Sequence, residues 1–182
     1  MKNILTKRLK LNGVTPIMFD AFRGQEETPV EKKFYLARDG ETLIFPNSNI
    51  LGFLNSQKVH SCLRIFWSNK EWQIRSNEIK GCVAITPSEV VFKDGNKPIK
   101  FKDWNDKISI DTRMAFPSKT ARVMAIRPVL SLPWSLEFDV SINPTEFITE
   151  ERIIDWFMRG GFQVGFGANR PLFGRFDTEV LS

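Results

Sequence analysis

The sequence predicts an α+β fold built as one domain over residues 1–182, and three observations lead there. The segment WSLEFDVSI alternates strictly, with Trp134, Leu136, Phe138, Val140 and Ile142 set against Ser135, Glu137, Asp139 and Ser141. That is a strand with one core face and one wet face. Two other segments, NSNILGFLNSQK and TEERIIDWFMRGG, carry apolar residues at helical spacing behind capping residues. Hydrophobic residues are 42% and charged residues 26% of the chain, the balance of a folded globular protein. No Pro-, Gly- or Ser-rich linker or long charge run divides it.

In chain order, KRLKL places Lys7, Leu9 and Leu11 on one side of an extended segment and Arg8 and Lys10 on the other. This first strand is expected to resume at VTPIMF after a turn at Asn12 and Gly13. The polar stretch from Gly24 to Lys33, containing Pro29, reads as a loop, and FYLARDGETLIFP as a short hairpin around Asp39-Gly40. A helix is predicted from about Ser48 to Gln57, with Asn47 or Ser48 as N-cap and Ile50, Leu51 and Leu54 on one face. From CLRIFW to VVFK, apolar and β-branched residues broken by Gly81, Pro87 and Asp94-Gly95 suggest short strands. KISIDTRM and TARVMAIR, separated by AFPSK, predict a protruding hairpin at about 107–127. The second helix has Thr149 as N-cap, Glu150 and Glu151 where the helix dipole favours anions, Ile153, Ile154 and Phe157 on its apolar face, and Gly160 as its stop. GRFDTEVL closes the chain as a strand. The succession matches a ferredoxin-like (RRM-like) βαββαβ core with insertions.

Several function classes are disfavoured by composition. The N-terminal MKNILTKRLKLNG has charges where a signal peptide carries an apolar run, and no stretch approaches the ~18 apolar residues of a membrane span, so the chain is expected to be soluble and cytoplasmic. Cys62 and Cys82 lack CxxC spacing and His60 is the single histidine, which argues against a zinc site or a disulfide framework. The formal net charge of +5 suits a polyanionic partner.

The stretch GGFQVGFGANRPLFGRF, residues 160–176, holds five glycines, two arginines and four phenylalanines. Such a segment is either an unusual turn or a seat for a ligand. Phosphate fingerprints place their glycines after a strand and before a helix; here a helix comes first and a strand follows. GFGANR also lacks the third glycine of GxGxxG and the lysine of a Walker loop, so no nucleotide cofactor is expected. A glycine-rich backbone that offers N–H groups to an anion, with Arg159, Arg170 and Arg175 adding bidentate contacts, fits a polynucleotide backbone.

The pattern resembles the RAMP (repeat-associated mysterious protein) superfamily, the ferredoxin-like RNA-binding proteins of CRISPR effector complexes and crRNA processing. NGVTPIMF looks like the family's first-strand element, LIFPNSNILGFL is similar to its I-P-x-S-x-x-K-G helix entry, and GGFQVGFGANRPLFGRFDTEV is similar to its C-terminal glycine-rich loop and last strand. Leu51 stands where the family has a lysine, so a phosphate contact from that helix is not carried over. A chain this short looks more like a stand-alone, bacteriophage-encoded RAMP-like protein than a full backbone subunit, with the host cytoplasm as its compartment.

The resemblance implies nucleic-acid binding. Arg8 and Lys10, facing Glu137, Asp139, Asp177 and Glu179, are better explained by cross-strand ion pairing, and an acidic, ring-poor sheet face argues against base recognition on the sheet. The expected surface is the glycine loop, through Gly165, Gly167, Asn169, Arg170, Gly174 and Arg175 with Arg159 before it, plus the basic hairpin, through Arg113, Lys119, Arg122 and Arg127. Phe66, Trp67 and Trp72, interleaved with Arg64, Lys70 and Arg75, are candidates for base stacking, with at least two of the rings expected in the core.

The expected function is therefore non-catalytic binding of single-stranded RNA or DNA through the sugar-phosphate backbone, with no metal or cofactor. Met114, Phe116 and Met124 near the hairpin tip suggest assembly into a homo-oligomer or filament along the strand. Two alternatives stand beside it. His60 could serve a metal-independent endoribonuclease as general base, and the chain could be a phage interaction module that mimics or blocks a CRISPR-type protein partner.

Overall fold

The computed structural model describes residues 4–21, 29–56, 60–67, 71–115 and 122–181. The elements in chain order are strands β1 (Leu5–Gly13), β2 (Ile17–Met18) and β3 (Ile44–Pro46), then helices α1 (Asn47–Asn55), α2 (Cys62–Phe66) and α3 (Trp72–Cys82). Strands β4 (Val83–Thr86), β5 (Glu89–Val91), β6 (Lys93–Asp94) and β7 (Lys97–Pro98) follow, then the short helix α4 (Trp104–Lys107). Hairpin strands β8 (Ile108–Ala115) and β9 (Val123–Leu130), strand β10 (Ser135–Ile142), helix α5 (Glu150–Gln163) and strand β11 (Phe176–Val180) complete the chain. Among the described residues no helix is long and apolar enough to cross a membrane.

The main sheet is antiparallel and runs β11-β1-β10-β6-β7, with β4 also paired to β10. The alternation in β10 does what it predicts: Leu136, Phe138, Val140 and Ile142 are buried, as are Leu9 and Leu11 opposite them on β1. Phe138 packs on Phe157 of α5, so the helical layer lies on this face. The other face is charged. Arg8 lies opposite Asp139, and Lys10 opposite both Glu137 and Glu179; Glu137 also takes an ion pair from Arg8 at 3.7 Å and one from Lys93 at 3.2 Å. A predominantly ion-paired sheet face is what the sequence predicts. The sheet ends in β11, whose Asp177 and Glu179 are exposed, and in β7, which is Lys97-Pro98.

Three readings are corrected. VTPIMF does not continue β1, which itself runs through Asn12 and Gly13 without a turn there: Ile17 and Met18 form β2, which pairs with β9 and extends the hairpin into a second sheet, β2-β9-β8. Cys62–Phe66 and Trp72–Cys82 are helices rather than strands. Ser61 caps α2 by accepting from the Arg64 N–H, and Arg75 pairs with Glu71 four residues before it and Glu78 three after it, the contacts a helix surface provides. Phe66, Trp67 and Trp72 lie half-buried against the core. Lys70 lies outside the described residues, as does Gln57, where α1 was expected to end.

The third correction concerns Gly160. It does not stop α5, which runs on through Gly161 to Gln163. A Cβ on Gly160 would lie 2.6 Å from Cys62 Sγ and 2.7 Å from the Phe53 ring, and one on Gly161 would lie 2.2 Å from the Phe176 carbonyl oxygen. The two glycines let α5 seat directly on α2 and β11. Helix propensity is overridden by packing.

Candidate nucleic-acid interface

The loop that follows α5 is fastened at both ends. Val164 and Gly165 both donate to the Gly160 carbonyl, at 2.7 and 3.0 Å. Gly165, Gly167, Asn169 and Gly174 all take positive φ. The requirement is strictest at Gly174, where φ is +74° and a Cβ would lie 2.0 Å from the Phe166 carbonyl oxygen. The chain doubles back through Phe166 N–H to Gly174 O at 2.8 Å, and bonds to the β1–β2 segment through Ala168 N–H to Met18 O, Gly174 N–H to Pro16 O and Arg175 N–H to Thr15 Oγ1. These N–H groups are spent inside the protein.

The structure sorts the arginines by what they already touch. Arg159 is held by Asp155 one helical turn away and lies over the Phe66 ring, 4.3 Å from its centre. Arg113 is engaged by Asp111 and lies 5.0 Å from the Phe173 ring centre, tying the hairpin to the glycine loop. Arg127 donates to Asp20 at 2.7 Å, and Lys33 stands 3.7 Å from the same carboxylate. Arg175 covers the exposed Phe162 ring at 4.2 Å, while its Nε is buried without a hydrogen-bond partner. Arg122 is exposed just before β9. Lys119 and Phe116 lie outside the described residues.

Arg170 differs from all of these. It is half-buried, burial presses its charge toward the neutral form, and among the described residues the Cys62 thiol, itself pushed up by burial, acts weakly the other way. Among the described residues no carboxylate pairs with it. A half-buried guanidinium without a counter-charge is expensive to keep unless something outside the protein supplies one.

Arg170 lines a cleft of about 300 Å³. One wall is the loop backbone at Gly167 and Ala168; the other is α1, through Ser48, Asn49, Gly52 and Ser56, with Asp20 and Tyr35 at its end. Phe45, Phe53 and Phe166 form the floor, packed ring on ring at 4.8–5.0 Å between centres. The first turn of α1 faces this space from Ser48 and Asn49; its N-cap is Pro46, which supplies no side-chain cap, and the turn carries no acidic residue. The Asn47 N–H is met by the Ser88 carbonyl at 2.9 Å, and no carboxylate of the turn offsets the rest of its positive end. In the sequence, Leu51 standing where the family has a lysine set α1 aside as a phosphate contact, and neither Asp20 nor Tyr35 was singled out. A glycine inside a helix, Gly52, is the signal that could have found the α1 wall.

Elsewhere the hairpin presents a bare apolar strip. Ile110, Met114, Met124 and Ile126 are 52%, 50%, 62% and 43% exposed, with Met114 directly opposite Met124. The opposite face, through Arg113 and Arg127, is the one turned to the body. His60 is exposed just before α2. Among the described residues no group of three or more His, Cys, Asp or Glu side chains is placed to hold a metal ion.

No protein-family model matches the sequence, and no curated protein sequence matches it. The fold is similar to that of a chain in the cryo-EM structure of the Type III-B Cmr-beta bound to cognate target RNA, with a TM-score of 0.58 over 98% of this chain at 12% identity. This chain spans 59% of that neighbour's length. At this identity the likeness is one of fold.

Proposed function

We propose that the protein is a non-catalytic, RAMP-like binder of single-stranded nucleic acid, RNA foremost, which holds the sugar-phosphate backbone in the cleft between α1 and the glycine loop. The observation that carries the reading is Arg170: a half-buried cation lining the cleft, with no carboxylate paired to it among the described residues. Bidentate hydrogen bonding to a phosphate is the interaction that geometry suits. Two further features support it. The strands that alternate with the main helices lie in the order β11-β1-β10-β4, all antiparallel, as a ferredoxin-like βαββαβ unit requires. The structural neighbour belongs to an assembly bound to target RNA, which favours RNA and a CRISPR-type protein context. Gly165, Gly167, Asn169 and Gly174 shape the loop; Arg175, Arg122 and Lys119 are secondary candidates for contact.

The exposed hairpin strip supports side-by-side assembly along a strand, since a solitary domain would be expected to make this surface polar. Head-to-tail use of one strip yields a filament unless its rotation closes a ring.

The test is binding of single-stranded RNA and DNA by wild type, Arg170→Ala and Arg159→Ala over a salt series. Loss of one phosphate contact flattens the slope of log affinity against log salt by about 0.7. Arg170→Ala should show that change and Arg159→Ala, whose guanidinium is already bound to Asp155, should not. An unchanged slope for Arg170→Ala removes the cleft from the interface.

A further inference from the structure

The cleft asks for more than a phosphate. Gly52 sits in the interior of α1, where glycine costs about 1 kcal/mol relative to alanine. Helical glycines in this protein can have a steric reason: a Cβ on Gly160 or Gly161 would collide with the core. Gly52 has none, because a Cβ there would meet no atom within 4 Å. The space it leaves open is the cleft itself. Its floor of phenylalanine rings offers nothing to a phosphate, since a charge set on an apolar floor loses its hydration without gaining a partner. A flat aromatic group loses little there and gains van der Waals contact. The volume, about 300 Å³, lies at the small end of ligand pockets and suits one planar ring system rather than an extended ligand.

Building on the backbone reading above, we infer that this cleft receives one unstacked nucleobase, which lies against the bare backbone of Gly52 while Arg170 at the rim holds the adjoining phosphate. The half-buried Tyr35 lines the slot as well, and Asn49, also lining it, carries an amide of the kind that reads the edge of a base. The strand is then gripped by one base per protein as well as by its charge.

The experiment compares the full chain bound to a uridine oligonucleotide and to an abasic oligonucleotide of equal length and charge, for wild type, Gly52→Leu and Gly52→Ala, with thermal melts to check folding. Wild type should prefer the base-bearing strand by about tenfold or more. Gly52→Leu, which fills the slot, should remove that preference, so that the base-bearing and abasic strands bind alike. Gly52→Ala places only a methyl group in the slot and favours the helix, so it keeps the test valid should the leucine variant not fold; it should reduce the preference. Equal wild-type affinity for both strands, or an undiminished preference in the folded variants, overturns the base slot while the phosphate reading survives. Failure of wild type to bind either strand overturns both.

Discussion

Replacement of Gly161 by alanine tests whether close seating of α5 on β11 fixes the glycine loop. Alanine is the better helix former by about 1 kcal/mol, so on propensity alone Gly161→Ala should stabilise. The structure predicts the reverse. The added Cβ would lie 2.2 Å from the Phe176 carbonyl oxygen and 2.8 Å from its ring, and a backbone carbonyl cannot rotate aside as a side chain can. Helix and strand must separate, in a region where Thr178 Oγ1 donates to the Phe157 carbonyl at 3.1 Å. Overpacking of this kind costs about 1–3 kcal/mol, and contact with backbone places it at or beyond the upper end. Net destabilisation of about 2 kcal/mol remains after the propensity gain, a fall in Tm of about 4–8 °C for a chain of this size. The control is Gly81→Ala, also helical, where a Cβ meets nothing within 4 Å; it should melt at or above the wild-type temperature. Thermal and urea unfolding of the three proteins decides the matter. A Gly161→Ala protein as stable as wild type would refute the packing argument.

Asp39 accepts hydrogen bonds from the Thr42 hydroxyl, the Thr42 N–H and the Glu41 N–H, which lower its pKa to about 2. Because the folded value lies below the unfolded one of about 3.9, its stabilisation is complete above about pH 4 and lost as pH falls through 2; an NMR titration midpoint near the unfolded value would contradict the turn geometry. His60→Ala should leave ribonuclease readings of purified protein at the wild-type level, and RNA cleavage by wild type that this variant lacks would overturn the non-catalytic proposal. Replacing Met114 and Met124 together by serine should abolish cooperativity on long oligonucleotides and spare affinity for short ones; non-cooperative binding by wild type would sink the assembly proposal.

Much of the fold was legible because β1, β10 and α5 each bury one face, and burial of one face writes its period into the sequence. Helices α2 and α3 were not, because α3 buries only Ser76 and Ile79 and its other apolar residues mimic a strand. The end of α5 was misread for a different reason: a glycine that stops a helix and one that admits a neighbour look alike until Phe53 and Phe176, far away in sequence, are placed against them. The site was half legible. Its arginines were visible, but the sequence does not say which guanidinium is already occupied, except for Arg159, whose Asp155 partner stands at helical spacing. The α1 wall needed the tertiary structure to bring residues 48–56 against residues 166–170.

The outermost strands of the main sheet bear on how copies of the protein can meet. A strand with unpaired N–H and C=O groups is an open template on which another chain can add. Here one rim carries Asp177 and Glu179, whose like charges would face each other if two such rims approached, and the other carries Pro98, which has no N–H to give, beside Lys97. Sheet continuation from molecule to molecule is thereby discouraged at both flanks. If copies do crowd onto one strand, as proposed above, these two flanks are poor templates for fibril growth, and side-chain surfaces such as the exposed hairpin strip are left for contact between neighbours.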